Sequence, residues 1–254
     1  MSEQPVIESL ADGVFTVMLN RPEKRNALDG ATVERLHAVL ERAELDAAVR
    51  VVAVRGAGKD FCAGADLSEL LESADRSMDE NRANAQRLGD VFVRMRELPK
   101  PVVAVVHGRV LAGGCGLATA CDLVLAHADA QFGYPEVSRG FVPAMVMAML
   151  RRVTGEKIAL DLVMTGRILS AADAHAAGLA SRVLGADRFD AEVSATLAAL
   201  ARQSASAMAL IKRQLYELDG RSFADGIRLG AEVNAVARTT PDFRDAIEAF
   251  LKGR

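Results

Sequence analysis

Two adjacent glycines, Gly113 and Gly114, stand where the pattern of this chain changes from strand-like to helix-like. An unbroken apolar run, Val102 to Val106, precedes them, and the small, mostly apolar segment Cys115-Gly-Leu-Ala-Thr-Ala-Cys121 follows. A glycine pair at such a junction lets the backbone turn tightly. It also leaves the first N–H groups of the helix unpaired, where an oxygen carrying negative charge can be held. The stretch from His107 to Asp122 therefore predicts a sheet strand feeding a helix, with a candidate oxyanion turn between them. A plain turn or a close helix contact fits the same residues, so the rest of the chain must decide.

Half of the 254 residues are hydrophobic, enough to bury a sizeable core in one large domain or in a core with an appendage. Lys and Arg total 31 against 34 for Asp and Glu, a net charge of −3, which argues against a nucleic-acid surface. Trp is absent and Tyr occurs only at positions 134 and 216, so a stacking platform for bases is hard to build. Cys62, Cys115 and Cys121 are odd in number and show no C-x-x-C spacing, and Met1-Ser-Glu-Gln-Pro5 lacks the regions of a secretory signal. A reduced, cytoplasmic protein is expected. The longest candidate for a membrane span, Phe141 to Leu150, contains Pro143 and runs into Arg151, so no membrane association is expected.

Val6-Ile7 and Val14 to Leu19 predict a hairpin turning at Asp12-Gly13. The polar loop Asn20 to Leu28 follows. Asp29 is a suitable cap for a helix with Val33, Leu36, Leu40, Ala43 and Ala47 on one face. Val51 to Val54 reads as a buried strand that ends in Arg55-Gly-Ala-Gly-Lys-Asp-Phe61. This segment lacks the spacer and the Gly-Lys-Ser/Thr ending of a phosphate-binding loop, and Phe61 replaces the third glycine of a dinucleotide motif. What remains is a second strand-to-helix junction at Gly64-Ala65, with Asp66 or Ser68 as cap.

Glu69 to Leu98 is charged and mostly helical, with Leu88, Phe92 and Met95 at helical spacing; its middle, Ala74 to Arg82, carries few large apolar residues. Asp122 to Ala126 predicts another short strand, Phe132 to Val137 a tight turn, and Leu179 to Leu184 a last strand. Ser170 to Asp173 resembles a capping box. Beyond Gly185 only helical stripes occur: Phe189-Val193-Leu197-Leu200, then Met208 to Leu218, Ile227 to Val236, and a last helix opened by Thr240-Pro241. The expected architecture is an α/β core over residues 1–185 with a helical region over 186–254.

Four of these segments, in this order, resemble the motifs of the crotonase superfamily, the enoyl-CoA hydratases and isomerases. They are Asn20-Arg-Pro-Glu-Lys-Arg-Asn-Ala-Leu28, Phe61-Cys-Ala-Gly-Ala-Asp-Leu67, His107 to Asp122, and Phe132-Gly-Tyr-Pro-Glu136. The resemblance implies a spiral of ββα repeats with a C-terminal helical trimerisation region, assembled as a trimer or a dimer of trimers. It implies an acyl thioester of coenzyme A as substrate, no further cofactor, no metal, and a place in fatty acid metabolism. By motif position, the backbone N–H groups of Ala65 and Gly113 would hold the thioester oxygen as it gains charge, which is what two preorganised donors are suited to do. Ala63, Asp66, Leu67, Gly116, Tyr134 and Phe141 would line the substrate. Lys24 and Arg25, and more weakly Lys252, would meet the phosphates of coenzyme A.

The resemblance also implies where proton chemistry resides. Hydratases of this superfamily use two glutamates; here the second is present as Glu136, whereas the first position reads Gly116. The leading reading is an enoyl-CoA hydratase, with two alternatives. The residues around Glu136 favour a hydratase, and a lone glutamate that relocates a proton favours an enoyl-CoA isomerase. The missing carboxylate favours an acyl-CoA binding protein without catalysis.

Overall fold

The computed structural model describes residues 4–253. The first three residues, on which the reading of the N-terminus partly rests, lie outside them. The predicted hairpin is present: β1 (Val6–Ala11) and β2 (Val14–Leu19) pair antiparallel through Asp12 and Gly13, both at positive φ. From β2 onward the large sheet is parallel. Its order is β1-β2-β3-β4-β6-β9, with β3 at Val51–Gly56, β4 at Val102–Val106, β6 at Leu123–His127 and β9 at Arg182–Leu184.

A parallel sheet covered on both faces needs apolar residues on both, and β4 reads Val-Val-Ala-Val-Val for that reason. Val52, Val54, Val102, Ala104 and Val106 enter the main core, while Val51, Ala53, Val103 and Val105 enter a second cluster on the opposite face. The main core also takes Val33, Leu36, Val39, Leu40 and Ala43 from α1 (Gly30–Leu45), whose N-terminus is capped by Asp29 accepting from the Thr32 N–H at 2.8 Å. Ala47, predicted on the same helical face, falls beyond the end of α1. The second cluster is closed by α8 (Phe189–Ala201) through Val193 and Leu197, the stripe predicted from spacing.

Sequence patterning did not predict the second sheet. Among the described residues it contains β5 (Arg109–Leu111), β7 (Gln131–Gly133) and β8 (Ile168–Ser170), in the order β5-β7-β8. Each strand is three residues long, too short for alternation to register. The chain passes from large sheet to small sheet to helix in successive turns: β4, β5, then α4 (Gly113–Ala120); β6, β7, then α5 (Met147–Thr154) and α6 (Glu156–Thr165). The turn before them is built alike. It runs from β3 through an isolated bridge between Cys62 and Val110 into α2 (Leu67–Glu72) and α3 (Met78–Glu97). Ser77 and Glu80 form a capping box at the start of α3, so most of the apolar-poor segment Ala74 to Arg82 is helical.

After α7 (Ala171–Ala176) and β9, the remaining elements are α8, α9 (Ala205–Glu217), α10 (Phe223–Ala237) and α11 (Pro241–Lys252). A buried ion pair ties them to the core. Lys212 on α9 donates to Asp122 at 2.8 Å and to the carbonyls of Met95 and Lys100 at 2.7 and 3.0 Å. Asp122 also accepts from the Val102 N–H and the Tyr216 hydroxyl, each at 2.7 Å. Asp122 is thus engaged by α9 and by the start of β4. No helix among the described residues is long and apolar enough to cross a membrane.

Removing one partner of a buried pair leaves the other charge uncompensated. Lys212→Ala is expected to lower unfolding free energy by about 3–5 kcal/mol, and Asp122→Asn combined with Lys212→Met to restore much of it. Urea midpoints of the three proteins measure both effects.

Candidate active site

The loop Asn20 to Leu28 is held by two residues that motif reading had not nominated. Asn26, buried and at φ 55°, donates from its side chain to the carbonyls of Ala57 and Asp60, both at 2.8 Å, and accepts from the Arg21 N–H. Arg21 donates to the Ala27 carbonyl at 2.7 Å and pairs with Asp29 at 2.9 Å and Asp66 at 3.0 Å. The only advance signal for these roles was a polar pair bracketing a basic loop. Their effect is to present Lys24 and Arg25, exposed and without ion pairs among the described residues, beside the next segment. The contact is direct, since the Ala63 N–H donates to the Arg25 carbonyl at 3.0 Å.

Leu28 then bridges Ala65 in parallel fashion. The Leu28 N–H donates to the Gly64 carbonyl at 2.8 Å, and the Asp66 N–H donates to the Leu28 carbonyl at 2.9 Å. In that pattern the Ala65 N–H points away from Leu28, and it has no acceptor among the described residues. Gly113 is the first residue of α4, so its N–H has no acceptor inside the helix, and none occurs outside it among the described residues. The two donors are neighbours: a Cβ built on Gly113 would lie 3.9 Å from the Ala65 nitrogen, flanked by Leu28 and Leu88.

Close contact of the two junctions depends on glycine. A Cβ at Gly64, which sits at φ 108°, would lie 2.7 Å from the Ala112 Cβ. One at Gly114 would run into the Cys62 carbonyl and side chain. Ala112 adopts φ 51° and ψ −127°, an arrangement that costs a residue with a Cβ roughly 1–3 kcal/mol. It is pinned on both sides, its N–H donating to the Gly133 carbonyl at 2.8 Å and its carbonyl accepting from the Gly116 N–H at 2.9 Å. The result is a turn that starts α4 with its first N–H groups free.

Glu136 lies in a short 3-10 turn, Pro135–Arg139, where Pro135 supplies the fixed φ of the first position and Gly140 closes the turn in the left-handed region. The residue is buried, and its Oε2 has no hydrogen-bond partner. Burial pushes its carboxyl above the usual range, partly opposed by its own backbone N–H and by Arg139. The strand leading into the turn is tied to the start of α4, since the Gly133 carbonyl, three residues before Glu136, accepts from the Ala112 N–H at 2.8 Å. A buried, unpaired carboxylate with a raised pKa is suited to general acid–base work.

The remaining nominated residues divide. Leu67 and Phe141 are exposed beside the two junctions and the Glu136 turn, and the Phe141 N–H donates to the Glu136 carbonyl. Asp66 caps α2 through the Ser68 N–H. Burial would raise its pKa, but hydrogen bonds from Arg21 and Ser68 prevail and hold the carboxyl below the usual range, so it positions Ala65 and is not free for a ligand. Tyr134 is 0% exposed, with its hydroxyl 3.2 Å from that of Thr119. Lys252 is exposed and paired with Glu248. Gly116 is sealed: a Cβ there would collide with Val146 Cγ1 and come within 3.4 Å of Phe92. Three free cysteines, Cys62, Cys115 and Cys121, are buried, and burial pushes the Cys62 and Cys115 thiols up to about 12, so none is primed as a nucleophile.

Concavities occur elsewhere, one of about 300 Å³ around Arg55, His107, His127 and Asp190, another of about 360 Å³ around His37, Asp90 and Arg94. Neither contains a pair of free backbone donors. Fold and site together define a mixed α/β protein with two free backbone donors at neighbouring strand-to-helix junctions and a buried carboxylate that has an unpaired oxygen.

The family model for enoyl-CoA hydratase/isomerase matches residues 9–254. A relative from Thermus thermophilus, assigned to the enoyl-CoA hydratases, is 41% identical over 241 residues, 95% of each chain. The 2,3-dehydroadipyl-CoA hydratase of Escherichia coli is 34% identical over 256 residues, covering 100% of this chain and 97% of its own. A crystal structure of an enoyl-CoA hydratase from Mycobacterium smegmatis superposes with a TM-score of 0.94 at 31% identity, covering 99% of this chain and 98% of that one. This chain belongs to the enoyl-CoA hydratase/isomerase family of the crotonase superfamily and has its fold.

Two outcomes test this geometry. Gly114→Ala is expected to push the two junctions apart and to lower kcat/KM toward a family substrate by about 100-fold, the typical consequence of a 1 Å misplacement. Glu136→Gln is expected to raise the melting temperature at pH 7, because the folded state strains an ionised carboxylate there. The sign follows from the raised pKa: its stability contribution is fully present below the unfolded value and is lost as pH rises through the folded one. The gap between wild type and variant therefore closes on acidification, and calorimetry across pH measures it.

Proposed function

We propose that this protein is an enoyl-CoA hydratase, adding water across the double bond of a 2-enoyl thioester of coenzyme A. The observation that carries the reading is the unpartnered, buried carboxylate oxygen of Glu136, three residues beyond Gly133, whose carbonyl accepts from the N–H of Ala112, the residue before the free Gly113 donor. The thioester oxygen sits on the Ala65 and Gly113 N–H groups. Glu136 takes a proton from water, the hydroxide adds to the β-carbon, and the π electrons move onto the thioester oxygen as an enolate. The two donors hold that charge, each worth about 3 kcal/mol. Protonated Glu136 then returns its proton to the α-carbon. Atoms balance with one carboxylate, so Gly116 does not bar the reaction.

Lys24 and Arg25 supply local positive charge for the phosphates of coenzyme A, in a chain whose net charge is −3. Lys252, already paired, is a weaker contributor that acts across a subunit boundary. The assembly is a homo-oligomer, a trimer or dimer of trimers; exposed Phe223, Ile227, Ile211 and Leu215 on α9 and α10 support this, since such apolar faces are normally covered. Three buried, unpaired thiols fit a cytoplasmic location.

A second reading, enoyl-CoA isomerase, is favoured by Val146 and Phe92 standing where another carboxylate would be. Product mass separates the two. With 2-enoyl-CoA substrates the product gains one water, and Glu136→Gln lowers kcat by about 10²–10⁴-fold while acyl-CoA affinity persists. kcat/KM falls as pH drops through the raised Glu136 pKa, giving an acid limb above the ordinary glutamate value of about 4.3. No mass gain with straight, branched or carboxylated 2-enoyl thioesters, together with relocation of a 3-enoyl double bond, would establish the isomerase instead. Binding with neither reaction, and no solvent deuterium at the α-carbon of a saturated acyl-CoA, would establish a non-catalytic binding protein.

A further inference from the structure

Gly116 and Gly113 are three residues apart on α4 and share a helix face, with roughly 5–6 Å between such positions. A thioester oxygen held at the Gly113 N–H therefore brings its double-bond carbons over the wall at Gly116. That wall is closed by one side chain. Val146 Cγ1 fills the volume a side chain at 116 would take, the Val146 Cβ stands 3.3 Å from the position of such a Cβ, and Phe92 Cζ stands 3.4 Å from it. Val146 is 4% exposed, so this apolar contact with Gly116 lies inside the protein.

The placement is tied to the acid–base turn. Val146 lies ten residues after Glu136 on the segment that leaves the 3-10 turn at Gly140 and enters α5, where the Met149 and Leu150 N–H groups donate to the Val146 carbonyl at 3.1 and 2.8 Å. One segment thus brings both the carboxylate and the apolar plug to α4. We propose that Val146 is a specificity-determining residue: its Cγ methyls set the depth of the acyl site under the double-bond carbons and exclude methyl-branched enoyl thioesters. This rests on the hydratase reading for the direction in which the acyl group runs, and on the geometry of Gly116, Val146 and Phe92 for the rest.

The test compares a straight-chain with a 3-methyl-branched 2-enoyl-CoA, and, by calorimetry, butanoyl-CoA with 3-methylbutanoyl-CoA. Val146→Ala opens space for a branch, and its branched-to-straight ratio of kcat/KM is expected to rise by about tenfold or more, the usual worth of one methyl in an apolar pocket. The ratio of affinities for the saturated pair rises with it. Gly116→Ala combined with Val146→Ala returns a carbon to the opened space and is expected to bring both ratios back toward wild type. An unchanged ratio in Val146→Ala overturns the proposal, as does a double variant as permissive as the single one. If wild type binds acyl-CoA but hydrates neither substrate, the hydratase reading fails alone and the affinity ratio still decides the role of Val146. Should Val146→Ala not fold, the folded double variant must match the wild-type ratio, and Val146→Thr, similar in shape, must stay as restrictive as wild type; divergence of either overturns the assignment.

Discussion

The site depends on two strand-to-helix junctions lying in direct contact. Backbone runs from Cys62 to Ala65 against Val110 to Gly114, and the hydrogen bonds from Cys62 N–H to Arg109 and from Leu111 N–H to Cys62 make the two segments a minimal sheet. Contact at this range is possible only because Gly64 and Gly114 offer no side chain toward Ala112 and Cys62. Everything else about the donors follows: Ala65 turned outward by its bridge to Leu28, and Gly113 freed by the backbone angles of Ala112. Strain at Ala112 persists because hydrogen bonds on both sides hold it, as expected where a scaffold over-determines a functional backbone.

A polar frame keeps this arrangement in register. Arg21 joins the Ala27 carbonyl, Asp29 at the start of α1, and Asp66 at the start of α2. Glu69 of α2 accepts from the Gly30 N–H at 3.0–3.1 Å, so α2 caps α1 in turn. The carboxylates around the donors are thereby used up in capping and pairing, and Glu136 is left as the carboxylate at the site with an unpaired oxygen. Arg21 and the helix N-termini offset the charge of these structural carboxylates near the donors.

Much of the scaffold was legible in the sequence, for identifiable reasons. The hairpin at Asp12-Gly13, the cap at Asp29, the buried strands at Val51 and Val102 and the four terminal helices each carried a periodic or capping signal that tertiary packing did not override. The small sheet was hidden, because strands of three residues at Arg109, Gln131 and Ile168 show no period. At the site, motif order pointed to Ala65, Gly113 and Glu136, but side-chain direction was beyond it: Tyr134 faces Thr119 in the core, and Asp66 serves as cap and ion-pair partner. Val146 carried no signal at all. An ordinary valine thirty residues from Gly116 becomes informative only when the chain folds back onto α4.

The ion pair of Asp122 with Lys212 carries a consequence for how the protein is made. Asp122 closes the glycine segment and holds the first residue of β4, yet its counter-charge and its tyrosine partner come from α9, about ninety residues later. A chain emerging from the ribosome has therefore produced both oxyanion junctions and Glu136 well before it can neutralise the carboxylate at their base. Until α9 docks, that carboxylate must stay hydrated, which opposes closure of the core around it. Burial of the carboxylate that ends the glycine segment is thereby coupled to the arrival of α9, late in the chain.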